Sequence, residues 1–119
     1  MLSALIVCTA LSVVDGDTIK CDGQNMRLLG GGIVDVRGID TPELRSWKCQ
    51  KERKLAKLAR NRLKDLLRGK DVRIEVKGAD SFDRPLVNVY ANGTEVGKRL
   101  LQEGFAREWR PGRKVDWCL

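Results

Sequence analysis

Histidine is absent from the sequence, and the four cysteines, Cys8, Cys21, Cys49 and Cys118, are widely spaced with no CxxC pair among them. Both absences argue against a zinc site. No stretch approaches the roughly 20 consecutive apolar residues of a transmembrane helix. Gly30-Gly31-Gly32 is not followed by Gly-Lys-Ser/Thr, so it is not a Walker loop, and no dinucleotide-binding fingerprint fits either. The positions after Asp15 lack the ligands and the glycine of an EF-hand calcium loop. Internal repeats, low-complexity tracts and linkers are also missing, and we expect one domain over residues 1–119.

What is present is an ordinary globular composition with a basic excess. Hydrophobic residues make up 42% and charged residues 33%, enough for one real core and too patterned for disorder. The formal net charge of +7 favours polyanionic partners, nucleic acid first and an anionic membrane second, with no bearing on fold. Four cysteines allow two disulfides in any of three connectivities, as in small basic secreted proteins, or else four buried thiols. Of these we favour Cys49 with Cys118, tying the main helix start to the tail, and Cys8 with Cys21 on neighbouring strands. Residues 1–10 are apolar but carry no basic lead-in, and they read as a first strand rather than a signal peptide. A secreted or periplasmic location is the expectation, with a cytoplasmic one as the alternative.

Strand-like runs at residues 5–14, 18–21 and 25–29 are separated by Asp15-Gly16 and Asp22-Gly23, both hairpin signals. The three form a meander, the opening of a small barrel or sandwich. The glycine triplet then reads as a flexible break before a short apolar piece at 33–36. Asp40-Thr41-Pro42-Glu43 has the form of a helix start: an acidic cap, an early proline and a glutamate three residues on. The main helix is predicted over 48–67 and stops at Gly69. At about 100° per residue its apolar side holds Leu55, Leu58, Ala59, Leu63, Leu66 and Leu67, and Arg62 falls among them needing a partner. Its other side is basic. Strands at 71–77 and 86–90 follow, then a helix over 94–105, then a tail with Trp109 and Trp117, of which Trp117 is expected to pack in the core.

Two acidic clusters and two arginines stand out from this framework. Asp15-Gly16-Asp17-Thr18 alone is most often a turn, Asp40-Thr41-Pro42-Glu43 a helix cap, and Arg84 a surface cation. Together they are the set that metal-assisted attack on a phosphodiester needs: carboxylates to hold a divalent cation and orient water, and guanidiniums to stabilise charge growing on phosphoryl oxygens.

Five motifs occur in one order: Val14-Asp15-Gly16-Asp17-Thr18, Arg27-Leu28-Leu29-Gly30, Ile39-Asp40-Thr41-Pro42-Glu43, Asp83-Arg84-Pro85-Leu86 and Leu101-Gln102-Glu103-Gly104-Phe105-Ala106. This resembles the thermonuclease, or staphylococcal-nuclease-like, family over nearly the whole chain. The resemblance implies a mainly β fold with α, an OB-fold five-stranded Greek-key barrel with two to three helices. It implies a Ca²⁺-dependent nuclease acting on DNA and RNA; beyond that we expect a preference for single strands, a monomer and no membrane partner. Position by position, it makes Asp17 and Asp40 calcium ligands, with the Thr41 backbone carbonyl. Glu43 would orient or deprotonate water, and Arg27 and Arg84 would clamp the phosphate.

Two departures bear on the site. Residues 31–38 look like an insertion between Gly30 and Ile39, which brings Arg37 nearer to Asp40 in sequence and makes it the alternative to the favoured Arg27 as first phosphate-clamping arginine, and otherwise a contact for nucleic acid. Phe82-Asp83 replaces the family's tyrosine-glycine before Arg84, so Phe82 could stack on a base but offers no hydroxyl. A non-catalytic OB module that binds nucleic acid or a protein partner is the second reading. Retention of Asp17, Asp40 and Glu43 together counts against it.

Overall fold

Asp22 and Gly23 adopt φ of 50° and 87°, the left-handed pair that a tight hairpin turn demands. In the computed structural model, which describes residues 5–119, this turn joins the third and fourth of nine strands. They are β1 (Leu5–Ile6), β2 (Leu11–Asp15), β3 (Thr18–Cys21), β4 (Gln24–Leu28), β5 (Gly38–Asp40), β6 (Val72–Ala79), β7 (Pro85–Ala91), β8 (Thr94–Glu95) and β9 (Arg107–Trp109), with helices α1 (Gln50–Leu67) and α2 (Val96–Gln102). The main sheet runs β1-β6-β7-β4-β3-β2, with β8 added to β7, and β5 pairs with β9 separately.

The strand expected over residues 5–14 is two strands with different partners; the expected strand character of residues 1–4 lies outside the described residues. β1 pairs with β6 at one edge of the sheet, and β2 pairs with β3 at the other. Only residues 7–10 separate them, so the sheet curls until the chain itself joins its edges. Counted as one broken strand, β1 and β2 complete a barrel of five with β3, β4, β6 and β7. Pairing is antiparallel except between β4 and β7, which run parallel. The fold is thus mainly β with two helices and matches the expected OB-like architecture.

The barrel interior is filled by Ile19, Met26, Leu28, Ile74, Val87 and Val89, all buried. Each such side chain contributes about 1.5–3 kcal/mol relative to exposure. α1 closes one side through Ala56, Ala59, Leu63 and Leu67. This stripe differs from the expected one: Leu58 is 53% exposed, and the charged Glu52 is buried in line with the alanines. Arg62 does find a partner, donating Nε and Nη2 to the two carboxylate oxygens of Glu103 at 2.6 and 2.8 Å. The glycine triplet is a hydrogen-bonded turn, not a flexible break. Gly31 N donates to Asn88 Oδ1 at 2.8 Å and Gly32 N to Leu29 O at 3.1 Å.

The two disulfides are Cys8–Cys21 and Cys49–Cys118, as expected. The first tethers the break between β1 and β2 to β3. The second ties the start of α1 to the last residues of the chain. Among the described residues no helix is long and apolar enough to cross a membrane.

Candidate active site

The β2–β3 turn carries the first acidic cluster. A register shift between Val13 and Asp15 bulges β2 where Asp15 faces Thr18, and bulges of this kind re-aim side chains at strand ends. Gly16 lets two other elements press onto the turn. A Cβ there would lie 2.8 Å from Ala59 Cβ and 3.0 Å from Thr41 Oγ1. The small residues at 16 and 59 thereby bring α1 and Thr41 against the turn that carries Asp17, which is buried and accepts from its neighbour Thr18 Oγ1 at 3.1 Å.

Arg27 lies opposite Thr18 in the β3–β4 ladder. Its Nη2 is 3.5 Å from Asp17 Oδ2 and 3.9 Å from Asp40 Oδ1, so one guanidinium joins the two acidic clusters. Asp40 reaches this point because β5 pairs with β9, with Asp40 opposite Arg107. Neither strand was expected, the first running into the presumed helix start at Asp40, the second lying in the tail. Trp117, expected to be a core residue, is buried, and its indole Nε1–H donates to Asp40 Oδ2 at 3.1 Å.

Asp40-Thr41-Pro42-Glu43 is not a helix start. Asp40 ends a strand with its carboxylate turned to Arg27 and Trp117, and residues 41–49 form an irregular loop before α1. The N-cap is Cys49, whose Sγ accepts from Glu52 N at 3.4 Å. Glu52, at the third helical position, reaches back in the manner of a capping box: its carboxylate accepts Lys48 N at 2.8 Å and Glu43 N at 3.1 Å. The exposed Glu43 side chain is therefore presented by a loop whose two ends rest on one buried carboxylate. A glutamate three residues after Cys49 was the visible signal for this, hidden by the more conspicuous motif at Asp40.

Arg84 precedes β7, whose parallel pairing with β4 sets Leu86 beside Arg27. The two arginines line one cavity of about 460 Å³, with Arg37, Asp35, Phe82 and Trp109 also on its wall. Arg84 is anchored by Asp80, which accepts its Nε at 2.8 Å and its backbone N at 2.9 Å. Burial alone would raise the Asp80 carboxyl, but the hydrogen bonds from Arg84 and from Phe82 N outweigh it and hold it below the usual range. Asp80, not the adjacent Asp83, is thus the acid that engages Arg84. Phe82 is 80% exposed, and the Arg84 guanidinium lies 5.7 Å from its ring centre. The inserted residues form a tight reversal, with Ile33 N on Arg37 O at 2.8 Å and Arg37 N on Ile33 O at 2.9 Å. Arg37 stands on the cavity wall, and among the described residues Arg27 is the arginine paired to both Asp17 and Asp40.

The acidic cluster that Arg27 joins lies beside that cavity and is not part of its wall, and it is crowded with negative charge. Asp15 is pushed up to about 7, first by burial and then by the charge of Asp17. Burial also raises Asp40, although the Trp117 hydrogen bond and Arg27 pull it back. Glu43 is raised by desolvation and by the charges of Asp17 and Asp40. Thr41 Oγ1 is buried without a hydrogen-bond partner among the described residues. Clustered hard oxygens that resist ionising together suit a hard divalent cation. No group of three or more His, Cys, Asp or Glu gathers closely enough among the described residues to hold a metal unaided. Two carboxylates with a threonine fit an ion that retains several waters.

Comparison with known proteins points one way. The family profile described as staphylococcal nuclease homologue matches residues 33–116. That span includes Asp40, Thr41, Glu43 and Arg84, and begins beyond Asp17 and Arg27. An uncharacterized endonuclease of Haemophilus influenzae is 29% identical over 99 residues, covering 83% of this chain and 50% of its own length. A probable staphylococcal-like nuclease of Oryza sativa subsp. japonica is 33% identical over 73 residues, 61% of this chain and 18% of the relative. The chain therefore spans about half the first relative and less than a fifth of the second.

Proposed function

The chain belongs to the staphylococcal nuclease homologue family, and from that premise we propose that it is a Ca²⁺-dependent endonuclease hydrolysing DNA and RNA with little sequence preference, favouring single strands. The observation that carries this reading is Arg27 Nη2 standing between Asp17 and Asp40 on the wall of a cavity shared with Arg84. Asp17, Asp40 and the Thr41 carbonyl would hold the ion. When bound, Ca²⁺ supplies positive charge beside the scissile phosphate and favours ionisation of water there.

The remaining work falls to this chain's own side chains. Glu43 accepts a proton from the attacking water as the new P–O bond forms, and a carboxylate beside a divalent cation stays ionised and able to do so. Arg27 and Arg84 donate to the non-bridging oxygens as charge grows on them and the opposite P–O bond breaks. Each such donor is worth about 3 kcal/mol in the transition state. The planar guanidinium fork matches phosphate geometry and stays charged at any working pH. Phe82 offers an exposed ring for a base to stack on, and Arg37 offers charge along the strand.

The net charge of +7 supports polyanion binding, and the two disulfides support an oxidising, secreted or periplasmic setting for a monomer. Incubation with single-stranded DNA and Ca²⁺ is expected to give cleavage that chelator stops and that Glu43→Ala abolishes while binding persists. Binding without chelator-sensitive cleavage at any pH from neutral to alkaline would reassign the chain as a non-catalytic module.

A further inference from the structure

We propose that Trp117 is a positioning residue for Asp40, and that the Cys49–Cys118 disulfide holds it there; this rests on the metal-site reading above. The two oxygens of Asp40 have different partners. Oδ2 accepts the Trp117 indole N–H at 3.1 Å, and Oδ1 faces Arg27, and through it Asp17. An indole nitrogen can only donate, so this contact fixes which oxygen turns toward the ion. Partners of this outer kind orient a ligand and sharpen its affinity for metal.

The indole is itself held on three sides. Trp117 is 6% exposed, and the Arg107 guanidinium lies 4.7 Å from its ring centre. Arg107 is the residue opposite Asp40 in the β5–β9 pair, so a single strand register places both the carboxylate and the cation that covers its donor. The next residue, Cys118, is bonded to Cys49, the N-cap of α1. One turn further along, Glu52 carries the backbone of Glu43. A single covalent bond thus ties the donor to Asp40 and the loop of Glu43 into one unit. A buried tryptophan that only packed would equally satisfy its N–H on a backbone carbonyl; here the acceptor is the carboxylate that joins the two acidic clusters.

The test is Ca²⁺ titration by calorimetry on the oxidised full chain and on Trp117→Phe, which keeps an aromatic ring and loses the N–H. Affinity is expected to fall about tenfold. A purely structural role would lower the unfolding temperature and leave Ca²⁺ affinity of the folded protein unchanged. On the unmutated protein, the Trp117 indole N–H resonance is expected to shift with Ca²⁺ along the calorimetric isotherm, while that of Trp47 stays put. Equal Ca²⁺ affinity in Trp117→Phe, or an indole resonance unmoved at saturation, would overturn the proposal alone. No Ca²⁺ binding by the unmutated protein would reject the metal reading, and the proposal with it.

Discussion

The backbone N–H of Glu43 donates to the buried carboxylate of Glu52 at 3.1 Å, across the loop that presents the Glu43 side chain. The other Glu52 oxygen takes Lys48 N at 2.8 Å, so one side chain fixes both ends of that loop. Glu52→Ala would leave two N–H groups without an acceptor, at a cost of about 1–3 kcal/mol each where water cannot replace it. It would also let Glu43 drift, and a misplacement near 1 Å lowers turnover about 10²-fold. Glu52→Gln keeps one acceptor oxygen and is expected to lose less of both. Urea unfolding with steady-state kinetics on the two variants checks this; a kcat in Glu52→Ala equal to the unmutated value would show that the loop does not depend on it.

The phosphate-clamping role proposed for Arg27 and Arg84 separates them from Arg37. Replacing either of the first two by lysine keeps the charge and loses the planar fork. Each is expected to lower kcat about 10²–10³-fold, the size of losing one preorganised transition-state donor. Arg37→Ala is expected to leave kcat alone, raise KM modestly and weaken the salt dependence of binding. A large kcat loss in Arg37→Ala with a small one in Arg27→Lys would exchange their roles.

The parts legible in the sequence were those written in local chemistry. Asp22-Gly23 announced its hairpin, Gly69 ended α1, and the acidic and arginine motifs were visible as spaced groups. What stayed hidden depends on pairing between distant segments. Asp40 reads as a helix cap until β9 pulls it into a strand, and no local feature of residues 107–109 announces that pairing. Trp117 reads as core because an indole gives no hint of which acceptor it will meet 77 positions away. Leu58 was placed inside by a wheel that ignored Glu52; the true buried line starts from that glutamate because the loop before α1 needs an acceptor.

Asp15 makes the metal-free protein sensitive to pH. Its carboxyl is raised to about 7 by burial and by Asp17. Folded Asp15 therefore keeps a proton that the unfolded chain has already released from about pH 4 upward. The corresponding stability is fully present below pH 4 and is lost as pH rises through 7. Because Asp15 is only half-buried, about 1–3 kcal/mol is expected from this source between pH 5 and 8. Asp80 and Glu103, whose carboxyls are lowered, are ionised across that whole range and do not oppose the trend. In chelator, urea midpoints should fall from pH 5 to 8, and Asp15→Asn should lessen the fall, leaving the part that the raised Asp40, Glu43 and Glu95 carboxyls contribute in the same direction. An equal fall in the variant would remove Asp15 as its source.

The two disulfides should separate stability from function. Cys49–Cys118 spans 69 positions and Cys8–Cys21 spans 13. On the chain-entropy account, the longer loop is worth about 4 kcal/mol and the shorter about 3 kcal/mol. On that account the longer bridge contributes about 1.5 kcal/mol more to stability, and their surroundings differ as well. Cys8 and Cys21 tether the break between β1 and β2, whereas Cys49 caps α1 next to the Glu43 loop and Cys118 follows the residue bonded to Asp40. Cys8→Ser with Cys21→Ser should therefore lower the unfolding midpoint and spare kcat at temperatures where the protein stays folded. Cys49→Ser with Cys118→Ser should lower both, and should raise the Ca²⁺ concentration needed for half-maximal rate. Matched kinetics for the two double variants, at equal folded fraction, would mean that the longer bridge acts through stability alone.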